Sequence, residues 1–140
     1  MELEERLTGD RGNKFTILNI NKETLNNNNF RKTIWTGNHL QVTVMSIPPG
    51  GEIGLEKHDN VDQFIRIEYG MASVFMGEER KNVKFVGYAN SDYAIIVPAG
   101  SWHNLVNNQR VPLKVYSIYA PPNHPFGTIH KTKMDADLEE

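Results

Sequence analysis

Apolar and polar residues alternate through most of the chain, a pattern that predicts β-strands with one buried face. The clearest alternation runs over residues 40–47, and the sequence Pro48-Pro49-Gly50-Gly51 closes it. The same pattern predicts further strands over residues 15–20, 29–35, 52–58, 63–69, 72–76, 82–88, 93–98, 102–107 and 113–120.

Turn-forming residues such as Gly70, Gly77 and Gly100 separate these runs at intervals of about 8–12 residues, the spacing of an antiparallel sandwich or barrel. No convincing amphipathic helix interrupts the runs, so the prediction is one all-β domain. The Asn-rich stretch 26–29 predicts a loop. Thr132, with Asp135 three residues on, predicts either a short capped C-terminal helix or a solvated tail.

Charge and length narrow the possible functions. The 140 residues include 15 Lys and Arg against 17 Asp and Glu, for a net charge of −2. This balance argues against a nucleic-acid or membrane-binding surface, since both need a surplus of positive charge on one face. The chain has no apolar stretch long enough to cross a bilayer and begins with acidic residues rather than a signal peptide, so a cytoplasmic location is expected.

The sequence contains five histidines and no cysteine. Disulfides, thiolate metal sites and cysteine nucleophiles are therefore excluded. If the protein binds a metal, the ligands must come from His, Glu, Asp, Gln or Asn.

Three segments can bring such ligands together. Glu56 and His58 are two apart on a predicted strand, so both side chains point to one face. Gln63 opens the returning strand after a turn over residues 59–62, and His103 begins another strand after a tight turn. Along 63–69, Gln63 is followed at alternate positions by Ile65, Ile67 and Tyr69. Polar residues at one end and apolar residues below suggest an open-ended barrel with a site inside.

These segments resemble the two cupin motifs. The sequence Gly51-Glu-Ile-Gly-Leu-Glu56-Lys-His58, followed by Gln63 and Gly70, resembles the first motif. The second motif, Pro-x-Gly-x-x-His-x-x-x-Asn, matches at every named position from Pro98 to Asn107. The resemblance implies a double-stranded β-helix, a jelly-roll barrel. The single domain is expected to span 1–140, with the barrel core over about 38–121, N-terminal strands within 15–35 and an extension over 122–140. The chain looks most like small cupins labelled mannose-6-phosphate-isomerase-like.

The resemblance also implies one divalent metal ion, bound by Glu56, His58, Gln63 and His103. Two positions depart from the family pattern, because Glu56 replaces its first His and Gln63 replaces its Glu. The net ligand charge is unchanged at −1, but the set is richer in oxygen and suits Zn, Mn, Fe or Ni. If Gln63 does not bind, the remaining three form the 2-His-1-carboxylate set of non-haem Fe(II) oxygenases. A metal-free cupin pocket is the alternative.

Other residues are weaker candidates for the pocket. The proline-rich segment that follows the last strand either covers the barrel mouth, bringing His124 or His130 to the site, or packs outside the barrel, which is favoured. Tyr69 and Tyr119 can reach the pocket, although core packing explains both. Trp102 is expected to point outward to a subunit contact, and His39 to be exposed.

Three functions follow from this site. The first is a metal-dependent enzyme acting on a small sugar-like or other oxygen-rich substrate, isomerase- or lyase-like. The second is an Fe(II) dioxygenase, and the third is a non-catalytic small-ligand binding module. Sugar-phosphate specificity would also need cations, and those not excluded by an outward position are Arg110, Lys114, Lys131 and Lys133. Small cupins commonly form dimers through N-terminal strands, so a homodimer is expected.

Overall fold

Two antiparallel β-sheets share an apolar core in the computed structural model, which describes residues 9–139. The strands are β1 (Arg31–Thr36), β2 (Gln41–Ile47), β3 (Asp62–Tyr69), β4 (Ala72–Gly77), β5 (Lys84–Ala89), β6 (Ala94–Val97), β7 (Trp102–Val106), β8 (Leu113–Ala120) and β9 (Ile129–His130). The helices are α1 (Ile20–Asn26) and α2 (Lys133–Glu139), with one turn of 3-10 helix at Arg80–Asn82.

The larger sheet has the strand order β6-β3-β8-β2-β1-β9, and the smaller has β5-β4-β7. Strand β8 lies at the centre of the larger sheet and pairs with β2 on one side and β3 on the other. Most spatial neighbours are therefore distant along the chain, as in a jelly roll.

The interior is apolar at one end and polar at the other. Met45, Ile65, Val115 and Leu105 are fully buried in a cluster to which both sheets contribute. Further along the same inward faces lie buried polar residues, namely Gln41, Thr43, Gln63, Ser117 and His103. Polar side chains are uncommon in a protein interior because burying them lowers stability. A functional site is therefore expected at the polar end.

The strand predicted over 52–58 is wrong as a continuous strand. This segment pairs with β7 only at two isolated bridges, Glu52 with Val106 and Glu56 with His103. Between them Gly54 has a φ of +106°, and its N–H donates to the side chain of Asn104 at 2.9 Å instead of to a backbone carbonyl. A glycine in this conformation interrupts the ladder, which alternation alone does not reveal.

The strand predicted over 15–20 is also wrong. Phe15 and Ile17 are 95% and 90% exposed, and the segment pairs with no strand of the described residues. The side chain of Asn19 accepts from the N–H of Lys22 at 3.0 Å and so caps the start of α1. Leu18 packs against a second cluster on the outer face of the larger sheet, formed by Ile34, Val44 and Tyr116.

The C-terminal helix is confirmed, and so is its capping pattern. The N–H of Asp135 donates to the Thr132 hydroxyl at 3.2 Å, and the N–H of Thr132 donates to the Asp135 carboxylate at 3.3 Å. Ala136 packs the helix against the core cluster.

Within residues 9–139, no helix has the length and apolar character needed to cross a bilayer.

Asn107, the last residue of the second motif, has a structural role. Its buried side chain donates to the carbonyls of Ile47 and Val111 at 3.0 and 2.9 Å and accepts from the N–H of Gln109 at 3.0 Å. These bonds satisfy two backbone groups of the loop between β7 and β8 and tie that loop to the end of β2.

We expect Asn107→Ala to lower the free energy of unfolding by about 2–4 kcal/mol, because three hydrogen bonds are lost and buried carbonyls are left unpaired. Urea titration measures this. The matched control is Asn108→Ala, since Asn108 is exposed and its side chain makes a single bond, to Ser73. Equal losses in the two variants would contradict the structural role of Asn107.

Candidate metal centre

The backbone pairing of two segments places Glu56 beside His103. The N–H of Glu56 donates to the carbonyl of His103 at 3.0 Å, and the N–H of His103 donates to the carbonyl of Glu56 at 2.9 Å. Directly opposed residues of an antiparallel pair project their side chains to the same side. The Oε1 of Glu56 consequently lies 3.4 Å from the Nε2 of His103.

A tight turn fixes the position of His58. The N–H of Ser101 donates to the carbonyl of Pro98, and Gly100, with a φ of +87°, occupies the left-handed position of this turn. The N–H of Gly100 donates to the carbonyl of His58 at 2.8 Å. The turn of the second motif thus holds the end of the first motif, and Gly100 is turn-forming as predicted.

Three ligand-type atoms converge inside the barrel. One ligand atom each from Glu56, His58 and His103 lies within 4.8 Å of the others, and Nε2 of His58 is 3.4 Å from Oε1 of Glu56. All three atoms are buried and lack a partner with hydrogen-bond geometry. Ligands about 2.1 Å from a common ion are separated by about 3.0–3.4 Å in octahedral or tetrahedral geometry. The three side chains therefore fit a divalent metal ion.

His103 is oriented by its other ring nitrogen. Nδ1 lies 3.1 Å from the carbonyl oxygen of Ser101, which can only accept, so Nδ1 carries the proton. Nε2 faces Glu56 and is the ring nitrogen that a metal ion would bind in place of a proton. A backbone carbonyl that fixes the imidazole in this way is typical of metal-binding histidines.

The electrostatics favour an ionised Glu56. Burial alone would raise the pKa of this carboxyl, but its interactions with His103 and His58 outweigh burial and hold the pKa well below its usual range. A carboxylate that is already ionised needs no proton loss to serve as a ligand.

Gln63 faces the same interior. It is 2% exposed and lies between Val97 and Tyr119 on the inward side of the larger sheet. Its Nε2 donates to the hydroxyl of Ser117 at 3.3 Å, whereas its Oε1 is buried without a partner. The amide is thus oriented with its oxygen available.

A cavity of about 530 Å³ opens on Glu56 and His58, and the segment after β8 borders it through His124 and Pro125. The expectation that this segment packs outside the barrel is wrong. Gln41 holds it at the mouth, because its amide oxygen accepts from the N–H of His124 at 2.9 Å and its Nε2 donates to the His124 carbonyl at 2.8 Å. His130, on β9, borders the same cavity.

Tyr119 and His124 form a neutral pair beside the ligands. Tyr119 is buried, with its ring 5.9 Å from that of His58, and its hydroxyl lies 3.4 Å from Nε2 of His124. Burial raises the pKa of Tyr119 to about 12. Burial, followed by the positive charge of Arg31, lowers the pKa of His124 to about 3. The imidazole is therefore neutral, and its Nε2 is the acceptor, because the amide Nδ2 of Asn123, which can only donate, lies 3.4 Å from it.

Tyr69 does not reach the pocket. It lies at the opposite end of β3 from Gln63 and is 47% exposed. A bulge between Ile67 and Tyr69 shifts the register against β8. The inward alternation of β3, which predicted Tyr69 inside the barrel, therefore ends at Ile67.

The side chain of Trp102 stacks against Lys57 and Arg80, each 5.5 Å from the ring centroid. His39 is exposed as predicted.

The cations considered for a phosphate do not border this cavity. Lys114 donates to the carbonyl of Asn27 and the side chain of Asn28, and Lys133 pairs with Asp137.

Arg31, which the sequence reasoning missed, does border the cavity. The available signal was an arginine at an alternate position of a predicted strand, two residues before the inward-facing Thr33.

Comparison with known proteins places the fold and the family. No family model matches the chain. The uncharacterized protein with a double-stranded β-helix domain from Klebsiella pneumoniae superposes with a TM-score of 0.61 at 20% identity, over 85% of this chain and 100% of that one. The fold is thus the double-stranded β-helix of the cupins, as the resemblance implied.

Two nearer relatives define the family. The uncharacterized protein YrkC of Bacillus subtilis (strain 168) is 55% identical over 134 residues, which cover 96% of this chain and 72% of YrkC. The crystal structure of BH2720 from Bacillus halodurans has a TM-score of 0.91 at 51% identity, over 93% of this chain and 98% of that one. The chain belongs to the family of YrkC.

We expect the partly buried His124 to make folding stability sensitive to acid. Below its ordinary pKa of about 6.5 the unfolded chain binds a proton at His124, whereas the folded chain does not until the pKa of about 3. Stability therefore falls as the pH decreases through this window. Urea titrations at pH of about 7 and about 5, with a chelator present, measure the difference.

In His124→Gln the acid-induced loss should be smaller than in the wild type. His39→Gln, which changes an exposed histidine, should retain the full loss. The same pH dependence in the wild type and His124→Gln would be inconsistent with an imidazole that stays neutral in the folded protein.

Proposed function

We propose that the protein binds one divalent metal ion through Glu56, His58, His103 and Gln63. The observation that carries the proposal is the convergence of buried donor atoms that have no hydrogen-bond partner at one end of the barrel. Leaving such groups unpaired costs stability, and a metal ion would offset that cost. The donor set of two imidazoles, one carboxylate and one amide oxygen suits Zn, Mn, Fe or Ni.

We further propose that the protein is a metal-dependent enzyme, isomerase- or lyase-like, with a small sugar-like or other oxygen-rich substrate. The bound ion would supply a Lewis acid for a carbonyl or enediol oxygen. The cavity beside Glu56 and His58 has room for such a molecule. Gln41 keeps the segment that borders the cavity in place.

Activity on mannose 6-phosphate receives no support from the cavity. A phosphate dianion is normally held by several cationic donors. Arg110, Lys114, Lys131 and Lys133 are absent from the cavity lining within the described part of the chain. The proposal therefore extends to an oxygen-rich substrate and not to a sugar phosphate.

A non-haem Fe(II) dioxygenase is the second candidate. The observation that favours it is the convergence of one carboxylate and two imidazoles, which form a three-ligand set without Gln63. Glu56, His58 and His103 would then form the 2-His-1-carboxylate set.

A non-catalytic binding module is the third candidate function, and it would apply to a protein purified without metal.

We also propose that the protein acts as a homodimer in the cytoplasm. The strand expected to mediate pairing is absent from residues 15–20, but Phe15 and Ile17 expose apolar surface there. Exposed apolar side chains at such positions favour association.

Elemental analysis of protein purified without added metal tests the binding proposal. We expect about one ion per chain in the wild type and less than about one tenth of that in Glu56→Ala and His58→Ala, because each removes a ligand. Circular dichroism should show that both variants remain folded. The control, His39→Ala, removes an exposed histidine and should keep its metal; full occupancy in the Glu56 or His58 variant would refute the assignment.

The role of Gln63 is tested by metal affinity. Gln63→Leu should weaken binding about tenfold, less than loss of a charged ligand, since a neutral amide is a weak donor. Competition with a chelator measures the affinity, and Gln109→Leu, outside the barrel interior, serves as the control. Unchanged affinity would remove Gln63 from the ligand set and favour the dioxygenase candidate.

A further inference from the structure

Arg31 lies buried beside the proposed metal centre. It is the first residue of β1 and is paired with Met45 of β2 and His130 of β9 on the inward side of the sheet. Its exposed fraction is 4%, and it borders the same 530 Å³ cavity as Glu56 and His58. A charged side chain placed this deeply needs a partner of opposite charge or a full set of hydrogen bonds.

The described residues supply Arg31 with neither. No carboxylate within residues 9–139 forms an ion pair with it, and its buried Nε has no hydrogen-bond partner. Its contacts are a long bond from Nη1 to Nδ1 of His130 at 3.5 Å, the ring of Phe30, whose centroid is 5.3 Å from Cζ, and the hydroxyl of Tyr119. The guanidinium is thus short of acceptors, and its Nε–H donor is left unused.

His130 orients Arg31 rather than neutralising it. Nε2 of His130 is 2.5 Å from a carboxylate oxygen of Glu139 and carries the proton of that bond. Nδ1 is then an acceptor and faces Nη1 of Arg31. The guanidinium is fixed on this side, and its buried Nε is left without a hydrogen-bond partner.

We propose that Arg31 binds the carboxylate of a small organic acid in this cavity. The inference rests on the proposed function and deepens it, because it assigns the oxygen-rich substrate to the acids. A planar carboxylate matches the guanidinium fork, and two parallel N–H···O bonds would satisfy donors that have no partner in the protein.

The charges around the cavity favour a carboxylate over a phosphate. Arg31 is the buried cation of the lining, and the other cation there, Lys57, is paired with Asp59 at 3.1 Å. Glu139 also borders the cavity, and its negative charge disfavours a dianion more than a monoanion. One free guanidinium complements one negative charge.

Isothermal titration calorimetry with matched probes tests this inference. D-Glucuronate and D-glucose differ only in the carboxylate, as do the smaller pair glycolate and ethylene glycol, and D-glucose 6-phosphate carries a phosphate instead. We expect the metal-loaded wild type to bind at least one acid about tenfold more tightly than its neutral counterpart. Arg31→Met and Arg31→Lys should lose this preference, the latter because an ammonium lacks the bidentate fork.

Arg110→Met is the control, since Arg110 is exposed and outside the cavity, and it should keep the preference of the wild type. No preference for either acid in the wild type, or an undiminished preference in folded Arg31 variants, would overturn the inference. Tighter binding of D-glucose 6-phosphate than of D-glucuronate would overturn the choice of a carboxylate.

Metal content, measured on the same samples, separates this inference from the proposed function. A protein with one ion per chain but no preference for acids would retain the metal site and lose the role of Arg31. A protein that binds no metal yet prefers acids, and loses that preference in Arg31→Met, would support the anion site and refute the metal centre.

Discussion

The site depends on one backbone interaction, the reciprocal pair of hydrogen bonds between Glu56 and His103. It joins an irregular segment to the edge of β7 and sets the two side chains on one side. The bond from Gly100 to the carbonyl of His58 then fixes the third candidate ligand relative to the first two. Because backbone bonds hold all three residues, their donor atoms need no contact with one another to stay in place, and they remain available to an ion.

The barrel combines this polar end with an apolar end that stabilises it. Residues such as Ile65, Met45 and Val115 are fully buried below the site, whereas the donor atoms of Glu56 and His103 are buried without partners. Unpaired buried polar groups lower stability, so the apolar cluster must offset them. Proteins commonly retain such destabilising groups at functional sites, so ligand binding is expected at the polar end of the barrel. Arg31 belongs to the same polar end, and its burial without a counter-charge is a second instance of that cost.

Sequence patterns predicted regular strands well and the irregular segments poorly. The alternation over 40–47 and 113–120 matches β2 and β8, because each strand has one face on the core. The same alternation over 15–20 gave a wrong strand, since the Asn19 cap starts a helix there and the exposed side chains of Phe15 and Ile17 contact no sheet. Periodicity records which side chains are apolar, but it does not show whether a neighbouring strand is present to pair with them.

The sequence alone determined the fold class, the C-terminal capping box and the candidate ligands, because each rests on local spacing or on a motif contained in a few residues. The tertiary structure decided what depends on distant segments meeting. It brought His124 to the barrel mouth through Gln41, excluded Tyr69 through a bulge, and placed Arg31 in the cavity. Such contacts join residues far apart in the chain, and their geometry follows from register and packing, which no single segment encodes.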